Sequence, residues 1–135
     1  MKKKLNCILL VDDNEEDNYF HKIIINQMEI TNSIQFAYNG LEALEFLKKE
    51  NQVIPELIFL DINMPKMNGW EFLEEYKHLN PAQKARITIV LLTTSGNPDD
   101  IRKAKEIEDV IGYKTKPLSE EMLTEILTTY FPDYI

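Results

Sequence analysis

Several chemistry-bearing residues in this 135-residue chain each close a short apolar run. Asp12 and Asp13 follow Cys7–Val11, and Asp61 follows Leu57–Leu60. Thr93-Thr94-Ser95 follow Ile87–Leu92, and Lys114-Thr115-Lys116-Pro117 follow Val110–Tyr113. Three carboxylates brought together repel, and at least one has a raised pKa unless a cation joins them. Oxygen donors with no His or Cys beside them suit a hard ion. Few carboxylates completed by water suit Mg²⁺ better than a caged Ca²⁺. A metal and a lysine around a carboxylate make a receptacle for a phosphoryl group, whose transfer depends on positioning and charge neutralisation. The carboxylate itself is a competent nucleophile, and the product is an aspartyl phosphate. Singly, each signal is weak: an Asp-Asp pair is usually a solvated turn, and a strand-end aspartate is often a helix cap. Their joint placement carries the weight.

That placement depends on the elements. Short apolar runs at Cys7–Val11, Ser33–Ala37, Leu57–Leu60, Ile87–Leu92 and Val110–Tyr113 have the length of buried strands, and most carry β-branched residues. Between them the apolar spacing is helical. Phe20, Ile24 and Met28 recur every four residues; Leu41, Leu44 and Leu47 recur every three. Phe72, Leu73 and Tyr76 share a face, as do Met122, Leu123, Ile126 and Leu127. Asn14, Pro98 and Ser119, each followed by acids, mark helix starts. Five strand–helix repeats predict an α/β fold, a parallel sheet with helices on both faces. Ligands in such sheets bind outside the carboxyl ends of the strands, where these groups converge. The second strand ends in Tyr38-Asn39-Gly40, which reads only as a turn. Ten elements use the whole length, so one domain over residues 1–135 with no output domain is expected.

Composition narrows the function classes. Fifteen Lys+Arg against 23 Asp+Glu give a net charge of −8, which argues against a nucleic-acid surface. The basic run Lys2-Lys3-Lys4 reads as a solubilising tail. Cys7, the single cysteine, cannot form an internal disulfide and reads as a small buried hydrophobe. No apolar stretch reaches the roughly 18 residues of a membrane span, and no signal-peptide core is present. A cytoplasmic setting, with no membrane association, is the expectation.

The motifs then identify a resemblance over essentially the full length. Ile8-Leu9-Leu10-Val11-Asp12-Asp13, Leu60-Asp61-Ile62-Asn63-Met64-Pro65-Lys66-Met67-Asn68-Gly69, Val90-Leu91-Leu92-Thr93-Thr94-Ser95 and Gly112-Tyr113-Lys114-Thr115-Lys116-Pro117 stand in order. Together they resemble the receiver domain of bacterial two-component response regulators. The resemblance implies a five-stranded parallel sheet of flavodoxin-like order 2-1-3-4-5 with five helices on both faces. It implies that Asp61 accepts a phosphoryl group from a phosphohistidine on a sensor histidine kinase or histidine phosphotransfer protein. Asp13, Asp61 and the backbone carbonyl of Asn63 would hold Mg²⁺, with Asp12 acting through water. Lys116, joined to Pro117 by a cis bond, would pair with a phosphoryl oxygen. Thr93 and Tyr113 would form the switch, turning inward and reshaping the surface of the fourth helix, fifth strand and last helix for an unknown downstream protein. Thr93 rather than Thr94 is chosen because it directly ends the apolar run.

Some positions depart from the commonest family pattern. Glu106–Ile111 replaces a small Gly-Ala turn, Thr94 is bulkier than the frequent alanine, and Asn63 and Ser95 occupy positions that tune phosphoryl lifetime. His21 on the first helix, His78 at the end of the third and Trp70 read as structural. The aromatic tail Tyr130–Ile135 docks on the body or helps bind a partner. The expected function is a signalling module, not an enzyme beyond its own phosphorylation and slow self-dephosphorylation. Two alternatives are a haloacid-dehalogenase-type phosphatase, which would want Asp where Asn63 stands, and a receiver-shaped binding module that never uses phosphate.

Overall fold

The apolar runs form strands and the amphipathic stretches form helices, in a computed structural model that describes residues 4–49 and 53–134. Lys2, Lys3 and Ile135, invoked above, lie outside the described residues. In chain order the elements are β1 (Ile8–Val11), α1 (Glu15–Met28), β2 (Ile34–Ala37), α2 (Gly40–Lys48), β3 (Leu57–Leu60) and α3 (Gly69–Tyr76). Then come α4 (Pro81–Lys84), β4 (Thr88–Thr93), α5 (Pro98–Glu106), β5 (Val110–Thr115), α6 (Glu120–Tyr130) and a 3₁₀ turn, Pro132–Tyr134. All strand pairs are parallel and the order is β2-β1-β3-β4-β5.

The strands read as unbroken apolar runs because both faces are covered. Alternate residues point to opposite sides. Leu9, Val11, Ile58, Leu60, Ile89 and Leu91 face one core with Leu44, Phe72 and Tyr76 of α2 and α3. Ile8, Leu10, Phe59, Val90 and Leu92 face the other with Ile25 of α1 and Leu123, Ile126 and Leu127 of α6. Burying each large aliphatic side chain contributes about 1.5–3 kcal/mol. Cys7 is fully buried, and burial pushes its thiol pKa up, which suits an inert hydrophobe. Phe131 packs into the second core and Tyr130 donates to the Ile111 carbonyl at 3.1 Å, so the tail docks on the body.

Every helix opens on a side-chain cap: Asn14, Asn39, Asn68, Asn80 and Asn97, then Ser119. Each accepts from a first-turn amide that lacks a helical partner, worth typically about 1 kcal/mol. At Asn68 the cap is reciprocal, since the Glu71 side chain accepts from the Asn68 amide.

Two expectations need correction. Among the described residues there are six α-helices, not five: Asn80 and Pro81 start the four-residue α4, which is too short to show apolar periodicity and so escapes a pattern search. Further, α3 ends at Tyr76, so His78 lies just beyond the helix, although its amide still bonds the Glu75 carbonyl at 3.1 Å.

Candidate functional site

Register puts the acids side by side. Val11 pairs with Leu60, so Asp12 and Asp61 leave neighbouring strands at the same level. The Asp61 amide bonds the Val11 carbonyl at 2.9 Å, and the Asp12 amide bonds the Ala37 carbonyl at 3.0 Å. On the other side Thr93 pairs with Thr115, and the Lys116 amide bonds the Thr93 carbonyl at 2.8 Å. The Lys116-Pro117 peptide is cis.

Carboxylate oxygens of Asp12, Asp13 and Asp61 lie within 4.8 Å of one another. Asp12 and Asp61 are buried, whereas Asp13 is exposed at the mouth. The donor set is all oxygen and open to solvent on one side, so water can complete a coordination sphere. That chemistry fits a hard divalent cation. Asn63 is exposed in the loop two residues beyond Asp61.

Lys116 reaches into this group with a side chain only 9% exposed. Its Nζ forms an ion pair with Asp12 and donates to Asp61 Oδ2 at 3.3 Å. It also donates to Asp17 Oδ2, at 2.9 Å. Burial alone would lower the Lys116 pKa; hydrogen bonds to Asp12 and Asp17 and the charges of Asp12 and Asp61 outweigh it, and the pKa is raised. Burial raises the pKa of Asp12, an effect only partly offset by Lys116 and by the Asn14 amide at 2.9 Å. The other Asp61 oxygen, Oδ1, accepts from the Ile62 amide at 2.8 Å, which orients the carboxylate.

Thr93 is fully buried at the end of β4, and its Oγ1 accepts from the Ser95 amide at 3.3 Å. Thr94 is exposed. Half-buried Tyr113 donates its hydroxyl to the Ser95 carbonyl at 2.7 Å. Ser95 itself donates to Asp100 Oδ2 at 2.7 Å, so one residue touches Thr93, Tyr113 and α5. In place of the Gly-Ala turn, Ile107 and Val110 pack on the first core and Asp109 pairs with Lys84 at 3.4 Å. Half-buried Trp70 packs on the same core, with Lys103 of α5 4.6 Å from its ring centroid.

Four residues do more at the site than their sequence context suggests. Asp17 looks in sequence like a first-turn acid suiting the helix dipole, and nothing local announces its lysine partner. Asn39 and Gly40 are more than a turn: Asn39 caps α2, and the Gly40 amide bonds the Met67 carbonyl at 2.8 Å, bracing the loop that follows Asp61. Asn18, buried on α1, donates to the Asp12 carbonyl at 2.9 Å.

Residues 8–128 match the family model of the response regulator receiver domain. The chain is 40% identical over 113 residues to response regulator Rcp1 of Synechocystis, covering 81% of this chain and 75% of that protein. A crystal structure of a two-component response regulator from Cytophaga hutchinsonii superposes with a TM-score of 0.83 at 30% identity, over 94% of this chain and 97% of the other. The Mn²⁺-bound form of Rcp1 superposes at 0.76 with 33% identity, over 96% of each chain. With the predicted sheet order and the acid, hydroxyl and lysine groups on one edge, the chain belongs to the response regulator receiver domain family.

Proposed function

We propose that this chain is a phosphoacceptor switch of a two-component phosphorelay, a signalling module and not a turnover enzyme. The observation that carries the reading is one buried lysine shared among carboxylates at the carboxyl edge of a parallel sheet, next to a solvent-open oxygen cluster. In the proposed reaction an Asp61 carboxylate oxygen attacks the phosphorus of a phosphohistidine on a sensor histidine kinase or histidine phosphotransfer protein. The P–N bond breaks, its electron pair stays with the imidazole, and an aspartyl phosphate remains. Asp12, Asp13, Asp61 and the Asn63 carbonyl would hold Mg²⁺, which supplies charge neutralisation for the phosphoryl oxygens when bound. That Rcp1 crystallises with Mn²⁺ supports a divalent ion. Lys116 orients a phosphoryl oxygen, and Thr93 donates its hydroxyl to another. Withdrawal of Thr93 from Ser95 loosens the contact that Tyr113 also uses, which shifts the surface around α5, β5 and α6. A downstream protein reads the switch to the extent that it binds the two states differently. Exposed Tyr19, Phe20 and Ile23 on α1 offer an apolar surface to the phosphodonor.

Incubation with Mg²⁺ and acetyl phosphate should add one phosphoryl group by intact mass, and Asp61→Asn should abolish it. Persistent phosphorylation of that variant places the acceptor elsewhere. Steady hydrolysis of a phosphomonoester would favour the phosphatase alternative.

A further inference from the structure

Lys116 has three N–H donors, and it meets three carboxylates: Asp12, Asp17 and Asp61. Two of these belong to the oxygen cluster. Asp17 does not, because the clustered oxygens are those of Asp12, Asp13 and Asp61. It stands one turn into α1, at the third helical position, where its amide is fixed by the Asn14 side chain at 3.0 Å. It is also the most exposed of the three partners, at 39% against 6% for Asp12 and 10% for Asp61.

A buried ammonium and a divalent cation seek the same carboxylate oxygens. An ammonium held only by Asp12 and Asp61 would oppose cation binding directly. A third carboxylate, outside the cluster but within hydrogen-bond reach, gives the ammonium a seat it keeps when the others turn to a metal. We propose that Asp17 is a positioning residue that anchors Lys116 at the rim. This leaves the carboxylates free for a divalent cation and keeps the ammonium beside Asp61. The inference rests on the proposed role of this edge as a metal and phosphoryl site. It adds a fourth carboxylate to it.

The test is a double-mutant cycle on Mg²⁺ affinity, read by titration calorimetry at fixed ionic strength on the full chain. Asp17→Asn is expected to weaken Mg²⁺ binding about tenfold. Asp17→Glu, which keeps a carboxylate within reach, is expected to stay within about twofold of wild type. In a Lys116→Met background, Asp17→Asn should change affinity by no more than about twofold, because there is no ammonium left to anchor. Equal losses in both backgrounds would overturn the proposal, since Asp17 would then act by its own charge. So would an unchanged Lys116 side-chain ¹⁵N signal in Asp17→Asn. Phosphorylation by acetyl phosphate is followed on the same preparations. A wild type that takes no phosphoryl group refutes the functional reading, and the cycle refutes or sustains the anchor independently.

Discussion

Gly69 lies directly against the backbone of Asp61: a Cβ at position 69 would stand 2.5 Å from the Asp61 carbonyl oxygen and 3.0 Å from the Ile62 Cα. Main chain cannot swing aside as a side chain can. The Gly69 amide also bonds the Ile62 carbonyl at 2.8 Å, so the start of α3 and the end of β3 are locked together. Gly69→Ala is therefore expected to cost about 1–3 kcal/mol in urea unfolding, as overpacking does, and to slow phosphorylation at Asp61. Gly96→Ala is the control: a Cβ there meets nothing within 4 Å. Its cost should stay within about 0.5 kcal/mol. Equal effects of the two would contradict the steric account.

Ser95 holds Tyr113 by its carbonyl and α5 by its hydroxyl. Tyr113→Phe and Ser95→Ala should each destabilise by about 1 kcal/mol, the usual net worth of one such hydrogen bond. Because both loosen the same residue, their effects should be non-additive by about 0.5 kcal/mol or more in an unfolding cycle. Strict additivity would mean that Ser95 does not link Tyr113 to α5.

His21 is buried, and its pKa is lowered, first by desolvation and then by the Lys116 charge, against the pull of Asp17 and Asp61. The unfolded chain therefore takes up a proton near pH 6.5 that the folded chain resists. Stability is fully present above that pH and is lost as pH falls below it, by up to about 1.4 kcal/mol per pH unit. Asp12 works the other way, since its raised pKa favours the folded state at lower pH. Comparing wild type with His21→Gln between pH 7.5 and 5.5 cancels the Asp12 contribution. The variant should show the shallower acid slope; parallel slopes would exclude His21 as its source.

The oxygen cluster predicts a stabilising cation. Mg²⁺ at about a hundred times its dissociation constant should raise unfolding free energy by about 2.7 kcal/mol, reversed by chelation. Asp13→Asn removes the exposed member of the cluster without touching the Lys116 contacts. It should cut Mg²⁺ affinity at least about tenfold while leaving stability without Mg²⁺ within about 0.5 kcal/mol. A full melting-temperature shift retained in Asp13→Asn would remove that residue from the ligand set.

Much of this was legible in one dimension. Apolar runs such as Ile8–Val11 and Leu57–Leu60 read as doubly buried strands, and both are buried throughout. Asn14 and Ser119 announced their helices because capping is a local interaction. The four-residue α4 stayed hidden, since it carries no apolar periodicity. Asn39-Gly40 reads only as a turn in sequence because the Gly40 contact to Met67 joins residues far apart in the chain.

By itself, the sequence determined the residue chemistry and the element order: which strands end in acids, hydroxyls or lysine, and that these ends share one edge of a parallel sheet. Those are consequences of residue type and short-range periodicity. Only the tertiary structure decided how one ammonium is divided among its acids. Lys116 is 99 residues from Asp17 and 55 from Asp61, and their 2.9 Å and 3.3 Å contacts depend on strand register and on the turn of α1. Hydrogen bonds and ion pairs are won or lost over fractions of an ångström, and that precision exists only once both cores have packed.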